Sequence, residues 1–297
     1  MATATKEKPK TSEVAVALTE AIIAAIEDGL ADPRNWQPPW HAVGFFGAHN
    51  AATGHVYRGG NQLWLSILEA NGAVGPWATY KQWESLGAQV RKGEKGTLIL
   101  QPTPSRRVET NAAGDEIERR WTTFRTRSVF HAGQVDGWTP PEPVEAPEAI
   151  VGDEPSEAWL ASFANEASVR WGGARAYFDF DEDYIQLPAR ESFAHADGLF
   201  SVLWHEAGHW TGHESRLNRP QVGDKRSAVY AHEELIAELT SALMGHHFGR
   251  ETSLRDDHRD YIAGWLSALR NDPDYLWSAA TAADKAVAHL LSLGGDA

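Results

Sequence analysis

Two histidines four residues apart frame the chemistry of this chain, in the run His205-Glu206-Ala207-Gly208-His209. A helix turns once in about 3.6 residues, so both imidazoles project from one face and can reach a single metal ion. Glu206, beside the first histidine, can take a proton from a water at an open coordination position. Two imidazole ligands, an open position and a carboxylate base form the arrangement of zinc metallopeptidases. The preceding run Leu199-Phe200-Ser201-Val202-Leu203-Trp204 is apolar enough to form the buried first turns of that helix. The plain alternative is two satisfied histidines on an ordinary amphipathic helix.

A third ligand is required. Gly212 stands where the metzincin pattern has its glycine, but that pattern then needs a histidine at 215, where this chain has Ser215, and His213 comes two positions early. A better source is the segment from Tyr230 to Leu239, whose Leu235, Leu239, Ala242 and Leu243 make a helical apolar stripe. Gluzincins take a glutamate ligand from their second helix, with another acidic group one turn on. Glu234 and Glu238 have that spacing. Glu234 is therefore assigned as the ligand, and Glu238 as the acceptor that fixes the tautomer of a ligand imidazole. Glu233 lies about 100° away around the helix and is expected to face water. His213 and His232 are weaker ligand candidates, each more simply read as a helix-end or surface histidine.

Upstream, Tyr184-Ile185-Gln186-Leu187-Pro188 reads as a short strand closed by proline, a candidate edge for pairing an extended peptide or a plain sheet edge. Tyr230 is either a group that polarises a substrate carbonyl or a packing residue.

At 297 residues the chain can bury two modest cores. It has no cysteine, which excludes a disulfide framework and a thiolate metal site. Met1 to Lys10 is polar, and no later segment approaches the length of a membrane span, so a cytoplasmic protein is expected. The net charge of −14 is uneven: residues 1–131 carry +2 and residues 132–297 carry −16. Between them, Trp138 to Pro147 is a proline-glutamate stretch that reads as a linker. The expected organisation is an N-terminal domain over 1–137, a linker over 138–155 and a metal domain over 156–297. The acidic metal domain repels a polyanion, so nucleic-acid contacts fall to the N-terminal part.

That part interleaves aromatic and basic residues. Trp77, Tyr80 and Trp83 crowd around Lys81, a basic turn follows with Arg91, Lys92 and Lys95, and Arg119 to Phe130 alternates aromatics with Arg125 and Arg127 at strand spacing. Such a pattern suits unpaired nucleic acid, with bases stacking on rings while cations track phosphates. It equally suits core tryptophans beside a solvated strand face. No basic recognition helix for duplex readout is present.

Several runs together resemble the ArdC-type antirestriction proteins, relatives of the TraC primases of conjugative plasmids. They are Trp36-Gln37-Pro38-Pro39-Trp40, Tyr57-Arg58-Gly59-Gly60-Asn61, Trp77-Ala78-Thr79-Tyr80-Lys81-Gln82, Gly87 to Thr97, His205 to His213, Arg216-Leu217-Asn218-Arg219 and Glu233 to Glu238. The resemblance covers nearly the whole chain after about residue 12, with one departure at His131, where the family carries asparagine. It implies a single-stranded-DNA-binding domain followed by a zincin-like metallopeptidase domain, and protection of DNA entering by conjugation from host restriction. The implied partners are single-stranded DNA and a host protein as peptidase substrate, without a membrane. A monomeric bacterial protein carrying one divalent ion, zinc with manganese as the alternative, is expected.

Two α+β domains accommodate these motifs, with helices at 11–29, 61–70, 80–86, 156–170, 260–270 and 275–293, and strands near 97–101 and 120–130. Two functions remain open. One is a metal-dependent peptidase guided by single-stranded DNA; the other is a DNA-binding protection protein whose metal domain is structural or partner-binding. A structural site tends to close with a fourth protein ligand and has no use for Glu206.

Overall fold

The computed structural model describes residues 13–27, 38–41, 45–110, 116–139, 154–220, 227–252 and 259–294. Residues 140–153 of the expected linker, the turn expected from Asn111 to Asp115 and most of the solvated charge run expected from Arg255 to Asp260 lie outside them. The chain forms two compact units that do not follow chain order. One comprises residues 1–47, 58–70 and 142–297; the other comprises 48–57 and 71–141. The first 47 residues and 58–70, expected in the N-terminal domain, therefore share the unit of the metal motif. The cause is apolar periodicity that finds its partner far along the chain.

In the larger unit, α1 (Glu13–Glu27) and α2 (Gly59–Ala70) bury one face each through Leu18, Ile22, Ile26, Leu63 and Ile67. Those side chains join a single core with Leu235, Leu239, Trp265, Leu276 and Ala283. The last five come from α6 (Ala228–His247), α7 (Arg259–Asn271) and α8 (Tyr275–Ser292). Gly60 lets α2 lie under the Trp277 ring, since a Cβ there would stand 2.3 Å from the indole. A second core places α4 (Glu154–Glu166) and a small sheet against α5 (Ala196–Thr211), through Trp159, Phe163, Ile185, Leu187, Phe200 and Trp204. Three strands make that sheet. β6 (Ser168–Trp171) runs parallel to the central β8 (Tyr184–Leu187), and β7 (Tyr177–Asp179) pairs with β8 antiparallel.

In the smaller unit, β3 (Thr97–Thr110) and β4 (Glu116–His131) form a long antiparallel hairpin, in register from Thr97↔Val129 to Thr110↔Glu116. β1 (Trp77–Ala78) pairs with the end of β4, and β2 (Gln89–Val90) pairs with β5 (Val135–Asp136). The short helix α3 (Tyr80–Ser85) opens on a capping box, in which Gln82 N donates to Thr79 Oγ1 and the Gln82 side chain accepts from Thr79 N. Ala78, Trp83, Ala88, Val90 and Val135 fill the core of this unit.

No described helix is long and apolar enough to cross a membrane.

Candidate metal centre

Helices α5 and α6 cross where their side chains are small. An added Cβ at Gly208 would stand 3.0 Å from Ala237 Cα and 3.3 Å from Thr240 Cβ, so a larger residue would have to push the helices slightly apart. Ser241 Oγ donates to Ser201 O at 2.8 Å and ties the helices further along. This crossing brings His205 and His209 of α5 to face Glu234 of α6.

The Nε2 atoms of His205 and His209 are 3.2 Å apart. Glu234 Oε2 lies 3.6 Å from the first and Glu234 Oε1 3.7 Å from the second. Ligands about 2.0–2.1 Å from a tetrahedral ion are separated by roughly 3.3 Å, so these edges fit one small divalent metal. Among the described residues the group of converging donors consists of these three side chains. Charge gives a second reason. Glu206, Glu234 and Glu238 are all at least 95% buried around this group, a concentration of carboxylates that a cation would offset. Burial opposes a charge on His205, but Glu234, Glu238 and Glu206 outweigh it and push its pKa up to about 10.

Each histidine also has a carboxylate behind it. His205 Nδ1 lies 3.2 Å from Glu238 Oε2, and His209 Nδ1 lies 3.4 Å from Glu233 Oε1. Glu233 therefore corrects the expectation that it faces water. The loop after α5 turns back through Asn218, whose φ is +47°, and delivers Arg219 to it. Arg219 donates to both Glu233 oxygens at 2.6 and 3.0 Å, and to Thr211 Oγ1 and Gly208 O of α5. Burial raises the Glu233 pKa, but the bonds from Arg219 and His209 outweigh it and hold it below the usual carboxylate range. Helical phase alone placed Glu233 in water because it carried no sign of a returning arginine.

His213 bonds Ser215 at 2.8 Å and His232 bonds Ser278 at 2.8 Å; neither joins the donor group. Tyr230 sits half-buried in the first turn of α6, with its N–H on the Ser227 cap.

The aromatics of the smaller unit divide. Trp77 and Trp83 are wholly buried, Trp77 with an edge contact to His131 and Trp83 with its Nε1 donating to Phe130 O. This corrects their assignment as stacking platforms, since rings in the core offer no face to a base. Tyr80 is exposed, as are Lys92, Lys95, Arg125 and Arg127. The Arg91 guanidinium is held locally by Glu94, Asp136 and the Gly133 carbonyl. Phe124, with 59% of its surface exposed on β4, is an open ring that the sequence pattern alone did not separate from core aromatics.

Residues 12–130 match the family model described as the N-terminal domain of anti-restriction factor ArdC, and residues 156–282 match that of a zincin-like metallopeptidase. An uncharacterised protein of Sinorhizobium fredii, y4eC, is 39% identical over 95% of this chain and 92% of its own length. A DNA primase TraC of Escherichia coli is 36% identical over 94% of this chain, which spans only 27% of that larger protein. The crystal structure of antirestriction protein ArdC from plasmid R388, metal-free, is 32% identical with a TM-score of 0.73, covering 95% of this chain and 98% of that one. The Mn(II)-bound form of the same protein gives a TM-score of 0.71 over 96% of this chain and 99% of that one. The chain belongs to the ArdC antirestriction family and joins an ArdC-type N-terminal domain to a zincin-like metallopeptidase domain.

Proposed function

We propose that this protein binds conjugative DNA as a single strand, protects it from host restriction, and carries a working metal-dependent peptidase with zinc as its ion. The observation behind the enzymatic part is the convergence of His205, His209 and Glu234 beside the buried Glu206. Three protein donors leave one tetrahedral position for a reactant.

A divalent ion held by His205, His209 and Glu234 would supply Lewis acidity toward a water and a peptide carbonyl. Glu206 takes the proton of the attacking water and returns it to the departing amine. Glu238 and Glu233 stand behind the Nδ1 atoms of His205 and His209, placed to orient both rings so that their Nε2 atoms would face a bound ion. Arg219 holds Glu233 ionised for that task. The substrate is a protein of the recipient cell. In the smaller unit, Tyr80 and Phe124 provide stacking faces, and Lys92, Lys95, Arg125 and Arg127 meet phosphates.

Transfer of a restriction-sensitive conjugative plasmid into a restricting recipient tests the reading. Wild type should protect and Glu206→Gln should fail while still binding metal. Equal protection would leave DNA binding as the whole function and reduce the metal domain to a structural or partner-binding part.

A further inference from the structure

We propose that His41, from the N-terminal segment, is a positioning residue of the metal centre and sets its metal affinity through Glu238. The inference rests on the metal-site reading above. His41 closes a 3-10 turn, Pro39–His41, pinned by the buried Trp40 and packed against α6. Its Nε2 lies 2.8 Å from Glu238 Oε1, and the two side chains are 10% and 3% exposed. On the other side of the ring, Nδ1 lies 2.8 Å from Thr252 Oγ1.

The tautomer follows from the partners. A bare Nε2 lone pair against a buried carboxylate is repulsive, so Nε2 carries the proton toward Glu238 and Nδ1 accepts from the Thr252 hydroxyl. Glu238 then has one oxygen toward His41 and the other 3.2 Å from His205 Nδ1. The series Thr252, His41, Glu238, His205 runs from the segment after α6 through the N-terminal turn to a metal ligand. With an imidazole facing each of its oxygens, the carboxylate is held in one rotation. His205 Nδ1 therefore keeps its proton, and Nε2 is left to bind metal. Without His41, one oxygen of a buried carboxylate loses its donor, and the group is free to turn away from His205.

His41 is 164 positions before His205 and lies within the residues matched by the ArdC N-terminal family model. Part of the metal centre is thus supplied by sequence assigned to the other domain.

Zinc affinity of the full-length chain, read by competition with a chromophoric chelator, tests this. His41→Ala should weaken zinc about 10-fold or more, as for other groups that orient ligands from behind. His41→Gln, whose amide can place an N–H near the Nε2 position, should stay within about threefold of wild type. In a Glu238→Gln background the His41→Ala step should cost less than about twofold, because the group it acts through is gone. If His41→Ala does not fold, Thr252→Val takes its place, with an expected loss of about threefold. Unchanged affinity in the folded variant, or the same loss with Glu238→Gln, would overturn the proposal. A wild-type chain that binds no metal would overturn the metal-site reading as well; a metal-binding wild type with unaltered variants overturns this inference alone.

Discussion

Gly208 and Ala237 meet at the crossing of α5 and α6, where a Cβ on Gly208 would stand 3.0 Å from the Ala237 Cα. Because Gly208 lies between the two metal-facing histidines, the same contact that sets the helix separation sets the distance from His205 and His209 to Glu234. Gly208→Ala should gain about 1 kcal/mol in helix propensity and lose roughly 1–3 kcal/mol to overpacking. The result should be an apo protein up to about 2 kcal/mol less stable, with weaker zinc binding. Thermal unfolding with and without metal separates the two effects, and an unchanged metal-induced rise in Tm would refute the link.

How much of this was legible in the sequence follows from range. The histidine pair and the Glu234–Glu238 spacing are local, fixed by helical geometry, and the structure brings them together. Glu233 was misplaced because its surroundings come from Arg219, fourteen positions back across a loop. Sequence alone does not separate Trp77 and Trp83 from surface rings, because aromatic clustering looks the same in a core and on a platform. The home of α1 and α2 depended on contacts with α6, α7 and α8, more than 150 residues away, and nothing local encodes that. His41 carried no signal beyond a histidine at the end of an aromatic turn.

Metal binding should depend steeply on pH. The surroundings of His205 raise its pKa to about 10, so at neutral pH an incoming ion must displace a proton. Apparent zinc affinity should then rise about tenfold per pH unit between pH 6 and 8, one proton being released per ion. Isothermal titration in buffers of different ionisation enthalpy counts that proton. A flat profile would mean His205 is neutral before the ion arrives.

For DNA, Phe124→Ala should weaken single-strand binding by about 1–3 kcal/mol for a lost stacked base, with stability unchanged. Trp83→Ala should instead lower stability by about 3–5 kcal/mol, because it empties the core of its unit. Fluorescence anisotropy with a labelled oligonucleotide, alongside urea unfolding, reads both. Affinity should fall with added salt. A Phe124→Ala chain that binds as wild type removes the hairpin from the interface.

Cutting the chain at the linker should fail to give two folded domains. Residues 142–297 alone would lose the partners of Leu235, Leu239 and Leu276 on α1 and α2. Burial of Leu18, Ile22, Ile26, Leu63, Ile67, Trp40 and Phe46 contributes about 1.5–3 kcal/mol each, together as large as the roughly 5–15 kcal/mol net stability of a domain. The 142–297 fragment should therefore show a broad, early urea transition or none, whereas a chain keeping residues 1–70 with 142–297 should unfold cooperatively. A cooperative transition for 142–297 at wild-type denaturant concentration would show that α1 and α2 are dispensable.

The metal centre itself is tested most directly by metal stoichiometry after equilibration with zinc and gel filtration, measured by elemental analysis. One equivalent is expected for wild type and for Glu206→Gln, and close to none for His205→Ala, His209→Ala and Glu234→Ala. A full equivalent in Glu234→Ala with none in Glu238→Ala would contradict the ligand set, moving the third donor one turn along α6.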